Sequence, residues 1–349
     1  MKTLSIQLSR LWLVPRPGLG ARVPEFVALM KPRVMMLAVF TAIVALTRAP
    51  HELGRFQVVF TVLAIAGGAG AAGALNMWCD ADIDALMART AMRPIPRGQV
   101  SSTEAALFGA VLGVVAVLAL GLASNVAAAA LLAGAILFYV VVYTAWLKRR
   151  TPLNIVIGGA AGALPPVIGW TAATGNVGPE ALSLFLIIFF WTPPHFWALA
   201  LNRAGDYAKA GVPMLPVVAG PAATKRQILF YCGLLVPTSA LPCVLGFAGA
   251  VYGVTALLCG AVLVVLALQL DGSCRTGAGR RAAHRLFVFS IAYLFSLFAV
   301  LLVDHEAYVG SGSSMSRDGD VRAYFDHADL AFDQVQMDRD RNALGTEEI

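Results

Sequence analysis

Leu75-Asn76-Met77-Trp78-Cys79-Asp80-Ala81-Asp82-Ile83-Asp84, running on through Arg89-Thr90-Ala91-Met92-Arg93-Pro94-Ile95-Pro96-Arg97-Gly98, decides how this chain is read. It follows a long apolar run rich in Ala and Gly, so three acids and three arginines arrive at the end of a membrane-length helix. On a helix, Asn76, Asp80 and Asp84 recur every four residues and share one face, about 6 Å apart along the axis. An amide and two carboxylates so spaced suit a hard divalent cation, and Mg²⁺ held this way commonly bridges substrate phosphates as well. Arg89, Arg93 and Arg97 follow, placed to offset phosphate charge. At the end of a soluble helix such charges are ordinary surface. At the end of a membrane span they are costly, and that favours a functional site.

The surrounding composition supports the membrane setting. Hydrophobic residues make up 58% and charged residues 13% of the 349, with mean hydropathy +0.74. Such values belong to a polytopic membrane protein and exclude an ordinary soluble domain. The net charge of +6 hides a split: residues 304–349 hold 11 of the 20 acids and 4 of the 26 bases, leaving the body at +13 and the tail at −7. A basic body threaded by apolar spans speaks to topology, and no nucleic-acid partner is expected. Cys79, Cys232, Cys243, Cys259 and Cys274 show no CxxC pairing and read as small buried residues.

The basic segment Met1–Arg33 has no small-residue cleavage site before a short apolar core, so no removable signal peptide is expected. Nine apolar spans follow: Val34–Thr47, Phe56–Trp78, Glu104–Ala123, Val126–Trp146, Leu153–Ala173, Ala181–Leu201, Gln227–Phe247, Tyr252–Leu270 and His284–Val303. The expected fold is an all-α polytopic bundle in residues 34–303, between an N-terminal segment, 1–33, and an acidic tail, 304–349. The tail is expected to be disordered, with Val321, Phe325, Ala328, Phe332 and Val335 leaving a weak amphipathic helix open. Ser101 with Glu104 matches a capping box that restarts a helix at about Ser102. Pro165-Pro166 and Pro193-Pro194 are expected to bend their spans, and Pro237 and Pro242 to break theirs. With a cytoplasmic N-terminus and the C-terminus outside, the body's bases divide 20 to 2 in favour of the cytoplasmic side.

A second polar stretch on that side runs from Asn202 to Pro216. In it, Asp206 could complete a metal site, while Arg203 and Lys209 could grip phosphate oxygens. Lys148 and Arg149 close the fourth span on the same side.

Together these strings resemble the UbiA-type intramembrane prenyltransferases, and more closely their heme-modifying branch. The resemblance covers about residues 25–303. It rests on Lys31-Pro32-Arg33-Val34, Asn76 through Pro96, Tyr143-Thr144, and Lys148-Arg149 with Thr151-Pro152 and Asn154 to Gly159. It also includes Trp191-Thr192-Pro193-Pro194-His195-Phe196-Trp197, Asp206-Tyr207, Gly211 to Val217, and Phe287 to Ile291 with Tyr293-Leu294. The resemblance implies farnesyl transfer from farnesyl diphosphate to a vinyl carbon of heme B, dependent on Mg²⁺. It implies Asn76, Asp80, Asp84 and Asp206 as the catalytic, metal-holding set, with Arg89, Arg93, Lys148, Arg149, Arg203 and Lys209 on the diphosphate. A bacterial inner-membrane location follows, with the catalytic face cytoplasmic and a downstream heme-modifying enzyme or oxidase assembly factors as further partners. The wider superfamily carries two acids four apart in the second loop, whereas Asn202 and Ala210 flank Asp206 here.

His195, in the cytoplasmic half of the sixth span, is either a hydrogen-bonding core residue or a heme ligand. His284 and His305 fall at interfaces, His51 in an exterior loop and His327 in the tail; none is given a role. A quinone or chlorin prenyltransferase is the alternative enzyme. A cation-coupled transporter is the alternative from another class, disfavoured because the acids lie at span ends and no inverted repeat is visible.

Overall fold

A computed structural model describes residues 22–50, 53–270 and 277–304, and every regular element among them is helical. The body, Met1–Leu302, is one unit. His51, Cys274, His305, His327 and the residues of the expected tail helix lie outside the described residues.

The first helix among the described residues is α1 (Val23–Leu29), bent by 56° from α2 (Pro32–Arg48). There follow α3 (Arg55–Cys79), the short α4 (Ala81–Leu86) and α5 (Ser102–Ala123). Next, α6 (Val126–Leu137) is prolonged by π-helical turns at Phe138–Trp146 and a 3₁₀ turn at Leu147–Arg149. Then come α7 (Asn154–Thr174), α8 (Pro179–Lys209), α9 (Leu215–Val218), α10 (Gly220–Thr238), α11 (Leu241–Val244) and α12 (Ala250–Leu268). The last is α13 (Gly277–Asp304). Among the described residues eight helices are long and apolar enough to cross a membrane, or nine if the bent pair is one span. The chain is an integral membrane protein.

Burial sorts the spans. α7 and α8 are mostly enclosed, whereas α5, α6 and α12 bury little. Leu107, Val111, Val114, Leu118 and Leu122 of α5, for example, face outward, as lipid-facing side chains should. Small residues set the close approaches. A Cβ on Gly109 of α5 would lie 2.7 Å from Leu75 of α3, and one on Gly169 of α7 would lie 2.3 Å from the Ala42 carbonyl oxygen of α2. Without a hydrophobic force between helices in lipid, such contact supplies the packing energy.

The capping box forms as expected: Glu104 N donates to Ser101 Oγ at 3.2 Å, and Ser101 N donates to Glu104 Oε2 at 2.8 Å. The sixth span differs from expectation. α8 does not end at Leu201; it runs to Lys209, and its one non-helical residue is Arg203 rather than Pro193 or Pro194. The prolines are buried among Trp191, His195 and Trp197, and a helix so enclosed tolerates the lost backbone bonds. α7 likewise runs on through Pro165 and Pro166. Most of the expected loop Asn202–Lys225 is therefore helical, with α10 starting at Gly220. Pro237 and Pro242 do separate α10 from α11.

Candidate active site

Asp80 is the residue at which α3 ends, with φ −94° and ψ 3°. The four-residue ladder nevertheless crosses it, because Asp80 N donates to Asn76 O at 3.0 Å and Asp84 N to Asp80 O at 2.8 Å. Asn76, Asp80 and Asp84 thus stay on one face, and all three are buried. Asn76 Nδ2 donates to Asp80 Oδ2 at 2.9 Å and to Thr144 Oγ1 at 3.0 Å, while its Oδ1 accepts from Lys31 Nζ.

Each carboxylate has one cation on one oxygen. Lys148 Nζ reaches Asp80 Oδ2 at 2.5 Å, and Arg93 Nη1 reaches Asp84 Oδ2 at 2.5 Å. Lys31 lies within electrostatic reach of both carboxylates and both cations. The second oxygens, Asp80 Oδ1 and Asp84 Oδ1, are buried with no hydrogen-bond partner. An orphaned buried carboxylate oxygen is expensive. Two of them, with a neighbouring amide, form a hard-oxygen donor set that fits Mg²⁺. Among the described residues no three His, Cys, Asp or Glu side chains gather into a complete cage. A divalent ion here would share its shell with substrate oxygens and water, as Mg²⁺ does at diphosphate sites.

The wall opposite is built by the π-helical turns. Thr144 Oγ1 accepts from Asn76 and donates to Tyr139 O at 2.8 Å. Tyr139 and Tyr143 stack at 5.3 Å, and Gly158 makes room for them: a Cβ there would lie 2.1 Å from Tyr143 Cδ2.

The other expected residues separate. Arg89 and Arg93 of the first loop and Arg203 of α8 all lie within electrostatic reach of the Tyr207 side chain, which puts both polar stretches at one end of the bundle. Arg203 sits 3.8 Å from Asp206. Among the described residues, Asp206 does not gather with Asp80 and Asp84 into a group of three carboxylates. α8, in running on to Lys209, holds Asp206 one turn beyond Arg203 and against it. Arg149 is also drawn aside: its guanidinium bonds both oxygens of Asp82 at 2.7 Å and the Cys79 carbonyl at 2.8 Å. Lys209 is exposed.

His195 lies between two aromatic rings, Trp191 at 4.3 Å and Phe287 at 4.7 Å. Ser290 Oγ donates to Phe287 O at 2.7 Å, which commits its only hydrogen. At 2.7 Å from Ser290 Oγ, His195 Nδ1 must therefore be the donor. This leaves Nε2 with its lone pair.

Sequence reasoning gave Lys31, Thr144, Tyr139 and Tyr207 no role in the site. Lys31 carried one signal, its place before Pro32. A residue before proline is steered out of the right-handed helical region. Lys31 has φ 53°, making it the one non-glycine residue at positive φ among those described. That backbone turns its side chain back to Asn76.

A bundle of apolar spans that buries two half-satisfied carboxylates under a collar of cations defines a class of intramembrane enzymes acting on charged, lipid-soluble substrates. Matching the model of the UbiA prenyltransferase family over residues 35–291, the chain belongs to that family. It is 58% identical over 291 residues to a Parvibaculum lavamentivorans protein named protoheme IX farnesyltransferase, covering 83% of this chain and 91% of that one. A Methylobacterium radiotolerans protein of the same name is 55% identical over 294 residues, covering 83% and 93%. Among solved structures, the chain is similar to a digeranylgeranylglyceryl phosphate synthase, at 18% identity with TM-score 0.67, covering 82% of this chain and 99% of that one. It is also similar to a UbiA homologue from Archaeoglobus fulgidus bound to GPP and Mg²⁺, at 17% identity with TM-score 0.60, covering 79% and 99%. At those identities the structural likeness speaks for the fold.

Proposed function

We propose that this chain transfers the farnesyl group of farnesyl diphosphate to a vinyl carbon of heme B, with addition of water, giving heme O and diphosphate for heme–copper oxidases. The observation that carries the diphosphate half is the pair of buried, unpartnered oxygens on Asp80 and Asp84, collared by Lys31, Arg93 and Lys148. The relatives at 55–58% identity support heme B as acceptor.

Asp80, Asp84 and Asn76 would hold Mg²⁺, which supplies charge stabilisation for the departing diphosphate. Lys148 and Arg93 each pair with one carboxylate before substrate arrives and are placed to turn to diphosphate oxygens when it binds. Arg89, Arg203 and Lys209 add to the field at this end, with Asp206 offsetting Arg203. Breaking the allylic C–O bond gives a farnesyl cation. It adds to the terminal vinyl carbon, and water captures the new cation beside the ring and loses a proton. Tyr139 and Tyr143 present aromatic faces that shield the farnesyl cation from early water. The 20-to-2 distribution of bases supports a cytoplasmic catalytic face and, with the bacterial relatives, the inner membrane.

The test is to incubate the purified chain with heme B, farnesyl diphosphate and Mg²⁺ and to weigh the pigment. A farnesyl-plus-water mass gain on heme is expected. No gain on heme, with a gain on a quinone precursor, would move the chain to the quinone branch.

A further inference from the structure

One cleft meets the diphosphate chemistry only through the field of Arg203. It lies between the end of α8 and the start of α13, has a volume of about 540 Å³, and is lined by Leu199, Arg203, Arg280, Arg281, His284 and Phe287. That is within the size of ligand pockets. Its rim is basic and its counter-charge slight: Arg203 has Asp206 at 3.8 Å, and neither Arg280 nor Arg281 makes an ion pair among the described residues. Asn202 spans the gap, donating from Nδ2 to Arg280 O at 3.2 Å, while its Oδ1 is buried without a partner. Like charges gathered at one mouth repel unless an anion joins them.

The cleft also has a direction. Leu199 lies one turn from His195 along α8, and Phe287 one turn from Ser290 along α13. Phe287 stacks on His195 at 25° and 4.7 Å, and His195 on Trp191 at 17° and 4.3 Å. Basic groups at the membrane face therefore give way inward to flat rings and an imidazole with its Nε2 lone pair. Within two turns, α8 offers Arg203 to this cleft and brings Tyr207 within electrostatic reach of Arg89 and Arg93 of the first loop.

The geometry points to this cleft as the site for the paired carboxylates of the acceptor. Arg203, Arg280 and Arg281 hold the two propionates of the porphyrin, and the ring lies inward along Phe287 towards His195. The inference rests on heme B being the acceptor. A guanidinium binds carboxylate in a bidentate, charge-assisted pair. The same pairing of anion and apolar body occurs in an acidic phospholipid, so the test must separate the two.

The experiment uses full-length protein in phosphatidylcholine nanodiscs, titrated with heme B and with its dimethyl ester and followed by absorbance. The Arg280→Gln/Arg281→Gln variant should bind heme B about tenfold or more weakly, with an unchanged KM for farnesyl diphosphate. The diester should bind wild type and variant alike, and more weakly than heme B binds wild type. Equal heme B affinity in wild type and variant overturns the proposal. So does wild type that binds diester and diacid equally. If phosphatidylglycerol distinguishes wild type from variant while heme B does not, the cleft is a headgroup site and the proposal falls. Carboxylate-dependent binding without farnesylated product would sink the proposed reaction and leave the cleft standing. Product formation with unchanged variant affinity would do the reverse.

Discussion

Lys148 and Asp80 stand 68 positions apart and meet as a buried ion pair, Nζ to Oδ2 at 2.5 Å, with side-chain exposures of 12% and 1%. The pair joins the end of the fourth span to the end of the second, so it both locks the bundle and sets the charge of the site. Separating these two roles is the first experimental need.

Lys148→Met should lower stability by about 3–5 kcal/mol, because it leaves the Asp80 carboxylate buried without its cation. Adding Asp80→Asn should recover most of that loss without recovering turnover. Denaturation of the single and double variants checks this. If the double variant is no more stable than Lys148→Met, the pair does not lock the bundle.

Asp84→Asn keeps the shape of the side chain and removes the charge. It should lower kcat by about a hundredfold or more. Because it also breaks the ion pair with Arg93, the turnover is to be measured below the variant's own melting temperature. Near-parental turnover in saturating Mg²⁺ would remove Asp84 from the metal role.

Ser290→Ala takes away the acceptor that orients His195 through Nδ1–H. If Nε2 ligates heme iron, His195→Ala should shift the Soret band of bound heme and weaken heme affinity, with Ser290→Ala giving a smaller shift in the same direction. An unchanged Soret band and unchanged heme affinity in His195→Ala would make the histidine a core residue.

Gly169→Ala sets a methyl against the backbone of α2, 2.3 Å from Ala42 O, where no side chain can move aside. It should destabilise by about 1–3 kcal/mol. Gly98→Ala is the comparison: its φ of 71° also strains a side chain, but nothing lies within 4 Å of the added methyl. A melting temperature lowered more by Gly169→Ala than by Gly98→Ala is expected.

The Arg149 guanidinium, hydrogen-bonded to Asp82, holds that carboxyl below its ordinary value. A depressed folded value means the stabilisation is present above the unfolded value of about 3.9 and is lost as pH falls through the folded one. Since Asp82 is 63% exposed, the gain should stay under about 1 kcal/mol. The melting-temperature gap between parent and Asp82→Asn should be small near neutrality and close in acid.

The spans were legible because lipid demands long apolar helices, and the four-residue spacing of Asn76, Asp80 and Asp84 could be read because backbone bonds keep it intact through Asp80. Proline was over-read at positions 193 and 194: its local cost is fixed, but enclosure by α10 and α13 is a tertiary property invisible in the string. The partners of each cation were equally hidden. Arg93, Lys148 and Arg149 look alike in sequence, yet two serve the buried carboxylates and the third is held by exposed Asp82. Lys31 was missed because its part depends on a left-handed backbone turn that only the packed α1–α2 bend reveals.

The π-helical turns at Phe138–Trp146 carry a further consequence. A π turn is an α turn with a surplus residue. Deleting one residue within this segment would let it relax to the ordinary pitch with the downstream phase kept. A deletion in the regular turns of α6, by contrast, has no surplus to absorb it and would swing whatever follows by about 100° about the helix axis. Lys148 would then leave Asp80 although every residue of the site was still present. Loss of function by such an indel would be a fault of phase, correctable by an insertion one turn away and by no substitution in the site itself.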